Sequence, residues 1–185
     1  MPPSLARAAR ALLAISLLLG SLAASSARAE PAAFPTVSGH NLNGGTVEIP
    51  RDLKGRTNLL FVAFLPAQQA QVDSWHAYAG AMALRFPSFH AYQLPIVANA
   101  YTIFRGYLDN VMRGAIADTQ ARESTITLFI DKGAFERTLG IASEREISVF
   151  LITPRGEILW RAIGPYDPAN PPDIAKLVGA AAAAR

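Results

Sequence analysis

The chain has 185 residues, 51% of them hydrophobic, which is enough for one domain with a substantial core. It contains no cysteine, so thiol chemistry and disulfide bonding are both excluded. The net charge of +3 originates in Arg7, Arg10 and Arg28 of an acid-free leader; without them the 17 basic residues fall to 14, equal to the acidic ones. No Lys/Arg cluster survives, and nucleic acid is excluded as a partner.

Arg7 and Arg10 form a basic n-region, Ala11–Leu22 an apolar run, and Ala27-Arg28-Ala29 a small-x-small cleavage site before Glu30. The run is short of the roughly 20 residues a membrane span requires. The expectation is cleavage after Ala29, leaving residues 30–185 as one domain, periplasmic or secreted, with no transmembrane segment. Asn41–Gly45 carries turn chemistry, because Asn and Gly tolerate positive φ, and Thr46–Ile49 alternates as an edge strand.

Asn58–Leu65 is a short apolar run of the kind buried on both faces of a sheet. Pro66 ends it, and the polar residues Gln68, Gln69 and Gln71 open a helix that reaches Phe86. Its apolar positions are Val72, Trp75, Ala79, Met82, Ala83 and Phe86. Phe89–Val97 reads as a second strand, with Pro95 at its end or at an edge. From Ala98 to Ala121 the pattern predicts one helix. Tyr101, Phe104, Leu108, Val111, Met112, Ala115 and Ile116 line one face, and Arg105, Asp109 and Arg113 the other.

Ser124–Asp131 has a central-strand composition, and Phe135–Leu139 a short helix closed by Gly140. Ile147–Thr153 and Glu157–Ile163 flank Pro154-Arg155-Gly156 as an antiparallel hairpin. A proline-rich loop, Pro165–Pro172, leads to a last helix begun at Asp173, whose alanine tail is expected to fray. Parallel strands through helical crossovers, followed by a hairpin and a closing helix, form an α/β, thioredoxin-like layout. It is a mixed central sheet with helices on both faces and a core spanning about residues 46–180.

Leu139-Gly140-Ile141, Ile147–Ile152 and Pro154-Arg155-Gly156 resemble the closing segment of extracytoplasmic thioredoxin and thiol-peroxidase relatives. Those proteins carry a Cys-x-x-Cys pair on this turn, near the positions of Gln68 and Gln71, and a cis-proline at the position of Ile147. A cis bond before a non-proline residue costs about 2.5–4 kcal/mol, so Ile147 is expected to be trans. The resemblance therefore implies the frame without its redox chemistry.

A second pattern resembles the mitochondrial F-type ATP synthase assembly factor family. It comprises Phe64, Gln69-Ala70, Val72-Asp73-Ser74-Trp75, Leu139-Gly140-Ile141, Ile158-Leu159-Trp160 and Gly164-Pro165, within residues 34 to 178. That family is peroxiredoxin-like in fold and helps build the membrane sector of the synthase. Its arginine before the second tryptophan is Leu159 here, with Arg161 following instead.

The residues singled out for partner binding are Gln68, Gln71, Trp75, Trp160, Arg161 and Tyr166. The two glutamines are expected on an exposed turn, and the tryptophans in core or half-buried space. Trp160 is placed near the sheet's outer edge with Arg161 on the opposite face, where Trp and Arg suit an interface anchor. Asp73, Ser74 and His76 are adjacent, but neighbouring helical positions point apart and make no triad. His40, His76 and His90 lack metal-ligand spacing, so neither metal nor other cofactor is implied. The expected function is a redox-inactive binding or assembly protein for a protein partner, with a membrane-complex subunit as the candidate. The alternatives are a cysteine-independent enzyme on the Pro66–Gln71 turn, using Arg161 or Asp73, and a structural subunit of an envelope complex.

Overall fold

A computed structural model describes residues 33–183. The proposed leader 1–29 and its cleavage site at Ala29 lie outside the described residues. Seven strands form one mixed sheet: β1 Val37–Asn41, β2 Thr46–Ile49, β3 Thr57–Ala63, β4 Phe89–Ala98, β5 Ile126–Ile130, β6 Ser148–Ile152 and β7 Ile158–Ile163. Their spatial order is β2-β1-β5-β4-β3-β6-β7, with β3–β4 and β4–β5 parallel and the remaining pairs antiparallel.

All seven residues of β3 are buried, which explains its unbroken apolar run. Alternation along it splits the core. Leu60, Val62 and Phe64 join Leu94, Leu128, Phe135, Leu139 and Phe150. Leu59 and Phe61 point the other way, to Val72, Trp75, Met82, Val149 and Val178. Helices therefore cover both faces: α1 Gln69–Ser74, α2 His76–Arg85 and α6 Ala175–Ala183 on one, and α5 Lys132–Leu139 on the other. Two further helices, α3 Arg105–Ala115 and α4 Thr119–Ser124, connect β4 to β5.

Three expectations are revised, and one strand is added. The helix read from Ala67 to Phe86 is a 3-10 turn, Pro66–Gln68, followed by two helices that meet at Trp75. Pro95 lies inside an internal strand: it is the last β4 residue paired with β3, while Ile96–Ala98 continue the ladder with β5. Its missing N–H thus falls where one ladder stops.

Strand β1 had no strand-like composition, and its central Gly39 explains why. A Cβ there would sit 2.5 Å from Leu128 Cδ2 and 2.8 Å from the Thr127 carbonyl oxygen. Close approach to β5 requires glycine, at the expense of strand propensity.

The third revision concerns residues 98–121. They form a 3-10 segment, Asn99–Phe104, then α3 and α4, and none of the three contains a fully buried residue. The side of α3 that meets the domain holds the half-buried Leu108, Asp109, Met112 and Arg113: Arg113 Nε donates to the Leu42 carbonyl at 2.7 Å, and the exposed Arg105 places its Nη1 3.4 Å from His40 Nε2. Tyr101, Ile103, Phe104, Tyr107 and Val111 are 51–83% exposed. The inward side of α3 thus mixes apolar and charged residues.

The end of α5 and the hairpin turn match the expectation. Asp131 caps α5 by accepting from Ala134 N at 3.0 Å, and Gly140 ends it at φ 65°. The β6–β7 hairpin turns at Gly156 with φ 84°. The last helix begins at Ala175 instead of Asp173, and its alanine tail, expected to fray, is helical to Ala183, with the Ala182 carbonyl accepting from Arg56 Nη1 at 2.8 Å.

Candidate functional site

The turn after β3 is where the resemblance places a thiol pair. It is closed by glutamines. Gln68 is 2% exposed; its Oε1 accepts from Phe64 N at 2.7 Å and Leu65 N at 3.1 Å, and its Nε2 donates to the Glu144 carbonyl at 2.7 Å. Gln71 Oε1 accepts from Ile147 N at 3.0 Å. The expectation of a solvated turn is therefore corrected: Gln68 is buried and Gln71 half-buried. Both side chains stitch the turn to the segment 144–147. The backbone N–H of Ile147, which would otherwise be open to an incoming strand, is already used.

Among the described residues the only cis peptide bond is Ile49–Pro50, so Ile147 is trans.

Three charged groups sit beside this turn. Lys132 Nζ lies 2.7 Å from Glu144 Oε2 and 5.3 Å from the centre of the Phe64 ring. Desolvation, and then its hydrogen bond with Glu144, holds the Glu136 carboxyl above the ordinary carboxylate range. Desolvation pushes Glu144 upward too, but hydrogen bonds from Lys132 and Glu136 outweigh it and hold Glu144 low.

On the far side of the turn lies an aromatic cluster. Trp75 is 3% exposed and its Nε1 donates to the Gly164 carbonyl at 3.1 Å. Tyr166 stacks on Tyr78 at 5.2 Å and meets Trp75 at 5.3 Å, while Trp160 contacts Trp75 edge-on at 6.1 Å. Ser74 Oγ donates to the Gln71 carbonyl at 2.6 Å and accepts from Tyr166 N at 2.9 Å. That use turns Ser74 away from His76, whose Nδ1 is 3.8 Å from Asp73 Oδ1. The three adjacent residues make no nucleophilic set.

Trp160 and Tyr166 are half-buried and keep a solvent-facing edge, whereas Trp75 is enclosed. Arg161 lies on the opposite sheet face, as alternation required. Its Nη1 donates to the Leu139 carbonyl at 3.3 Å, at the C-terminal end of α5, and its guanidinium lies 5.7 Å from the Phe150 ring centre. Arg161 and Asp73 thus stand on opposite faces and do not converge on the Pro66–Gln71 turn.

A cavity of about 220 Å³ opens beneath Arg161, lined by Leu139, Ile141, Phe150, Ala162 and Ile163. A second, of about 230 Å³, lies between Val37, Ile130, Phe135 and Thr138. Among the described residues no group of three or more His, Asp or Glu could hold a metal ion, and no helix is long and apolar enough to cross a membrane.

The missed feature is the outward stripe of α3 and the 3-10 segment before it. Asp109, on the inward side, has its carboxyl raised by burial, against the opposing pull of His40, Arg105 and Arg113. The sequence signal was present: Arg105, Asp109 and Arg113 recur at four-residue steps and so share one face. What it lacked was the direction that face takes.

This architecture is the thioredoxin-like fold. Solved structures with the same fold include BsSco, of the Sco family of cytochrome c oxidase assembly proteins, with a TM-score of 0.53 and 15% identity over 84% of this chain and 96% of that one. A thiol:disulfide interchange protein from Bacteroides sp. superposes with a TM-score of 0.52 and 17% identity, covering 81% and 88% of the two chains. A DsbE-type interchange protein from Chlorobium tepidum gives 0.50 and 16%, covering 82% and 96%. The chain matches no protein-family model and no curated protein sequence. With no cysteine anywhere, it cannot carry out the thiol–disulfide exchange named for the two interchange proteins.

Proposed function

We propose that this is an exported, redox-inactive binding protein that assists the assembly of an envelope or membrane complex. The observation that carries the reading is the closed turn. Where a thiol pair would lie, Gln68 and Gln71 expend their amides on the protein's own backbone. Neither amide is left to act as nucleophile, acid or base, while the fold around the turn is intact.

Three further points support the reading. The leader pattern from Arg7 to Ala29 favours delivery outside the cytoplasm. BsSco, of similar fold, belongs to an oxidase-assembly family. Trp160, Tyr166 and Arg161 offer accessible aromatic and guanidinium surface near the open edge strand β7, suited to a protein partner.

The test is site-specific photocrosslinking in the native envelope, with the reactive side chain placed at Arg161 or Tyr166, alongside a disulfide-reductase assay. Crosslinks to a subunit of one membrane complex, together with no reductase activity, are the expected result. Turnover of a small-molecule substrate without any protein adduct would defeat the binding reading.

A further inference from the structure

We propose that the outer edge of β7, with the cavity beneath Arg161, binds an extended peptide segment carrying a large aliphatic side chain and a carboxylate two positions apart. The proposal rests on the binding reading above and names the chemistry of the partner. Strand β7 ends the sheet, so among the described residues one side of it has no strand neighbour. Gly164 N donates to the Ile147 carbonyl at 2.9 Å, which fixes the alternation along the antiparallel pair. Trp160 and Ala162 therefore turn their amides toward β6, and Arg161 and Ile163 turn theirs off the sheet. The register shift of this pair lies at the Ile158 end, and Trp160–Ile163 pairs regularly with Ser148–Leu151. Outward N–H and C=O groups on a regular edge are what an added strand satisfies.

The two residues with outward amides also line the cavity, together with Leu139, Ile141, Phe150 and Ser148. Ile163 is 73% exposed at its rim. The space of about 220 Å³ is smaller than the about 300–1,000 Å³ of a pocket that encloses a whole ligand. It is larger than the about 150 Å³ cavity that holds a benzene molecule. It therefore has the size of one Leu, Ile or Met side chain.

Charge selects the second feature. The Leu139 carbonyl takes one N–H of the exposed Arg161 guanidinium, and the rest of that donor fork suits a carboxylate. Arg145 and Glu146 are the other charged residues of the lining, so two arginines stand against one glutamate. Glu146 is turned to Gly164, where a Cβ would lie 2.8 Å from its Oε1. Same-face side chains of a strand recur every second residue, so an aliphatic group seated in the cavity sets its i±2 neighbour beside Arg161. A charge on an exposed edge guards a sheet against indiscriminate pairing, and an acidic segment is what this guard admits. A second copy of the chain does not meet these terms, because β7 contains no acidic residue.

The test is fluorescence anisotropy on the exported protein, its N-terminus verified by mass spectrometry. The probes are labelled seven-residue threonine peptides with Leu at the third position and Glu at the fifth, and the same peptide reversed, so that both pairing directions are sampled. One of the two is expected to bind. Exchanging its Glu for Lys, or its Leu for Ala, should weaken binding roughly tenfold. Methylating every second backbone nitrogen should abolish binding for the set that faces β7 and spare the other set.

In the protein, Arg161→Gln should weaken binding about fivefold, and Ser148→Leu, which fills the cavity from its wall, about tenfold. Ser148 is buried, so Ile163→Glu at the exposed rim serves as the second variant; it should repel the acidic peptide with no change in thermal midpoint. No binding of either peptide, or binding indifferent to Ser148→Leu and Ile163→Glu, would overturn the proposal, as would equal loss from both methylation patterns. Self-association of the chain that Ile163→Glu abolishes would overturn it in favour of a second copy. Crosslinking from Tyr166 to an envelope subunit while the peptides fail would overturn this site alone and leave the binding reading standing.

Discussion

Gln68 Nε2 donates to the Glu144 carbonyl oxygen at 2.7 Å, tying the turn after β3 to a segment 76 residues further along the chain. The other end of the same amide accepts from Phe64 N and Leu65 N. One buried side chain thus satisfies three backbone groups at the site where related folds keep their chemistry.

Gln68→Ala would leave those three groups without partners. Unmet buried polar groups cost about 1–3 kcal/mol each, and relaxation or water recovers part of that. The expected loss is about 3 kcal/mol, measured by urea denaturation at neutral pH. Gln71→Ala releases only Ile147 N and should cost about 1 kcal/mol. Equal, negligible effects would show that the turn is held by packing instead.

Trp75 joins α1 to α2 and reaches the Gly164 carbonyl through its indole N–H. Trp75→Phe removes that hydrogen bond and part of the contact with Trp160 and Tyr166, and should destabilise by about 2 kcal/mol. Because the Gly164–Tyr166 segment is fastened there, faster amide exchange in residues 164–172 is expected as well.

Gly39→Ala tests the close approach of β1 to β5. The added carbon would meet Leu128 Cδ2 and the Thr127 carbonyl oxygen at 2.5 and 2.8 Å. Forced strand displacement predicts a loss of about 1–3 kcal/mol, read from the thermal or denaturant midpoint. Gly106→Ala, on the exposed side of α3 where a Cβ would meet nothing within 4 Å, should instead stabilise modestly through helix propensity.

His90 gives the fold an acid-sensitive contribution. Burial, and then the charge of Lys54, hold its imidazole below the ordinary histidine range. The unfolded chain therefore takes up the proton first as pH falls, and stability drops from about pH 6.5 downward. His90→Gln should flatten this limb of the thermal midpoint against pH, while leaving the curve above pH 7 nearly parallel to wild type.

Glu136 behaves in the opposite sense. Its carboxyl is raised, so the charged form is penalised in the folded state at neutral pH. Glu136→Gln should raise the thermal midpoint at pH 7, and the gain should close as pH falls through the ordinary carboxylate range, where the wild type is protonated too. A gain that persists at pH 3 would contradict the assignment.

Much of the fold was legible from residue pattern alone. The apolar run at Asn58–Leu65 is a strand buried on both faces, and Gly140 and Gly156 stand at a helix end and a hairpin turn, where positive φ is needed. These features depend on local sterics and periodicity, which a linear chain carries in full. The absence of cysteine likewise removed thiol chemistry before any geometry was known. Tertiary contacts decided the rest. Whether Gln68 is solvated or buried depends on the segment 144–147 folding back over it. The α3 pattern states that two faces differ, but periodicity carries no sign. Only the placement of α3 against Leu42 turned Arg113, with Leu108 and Met112, inward and left Tyr107 and Val111 facing out.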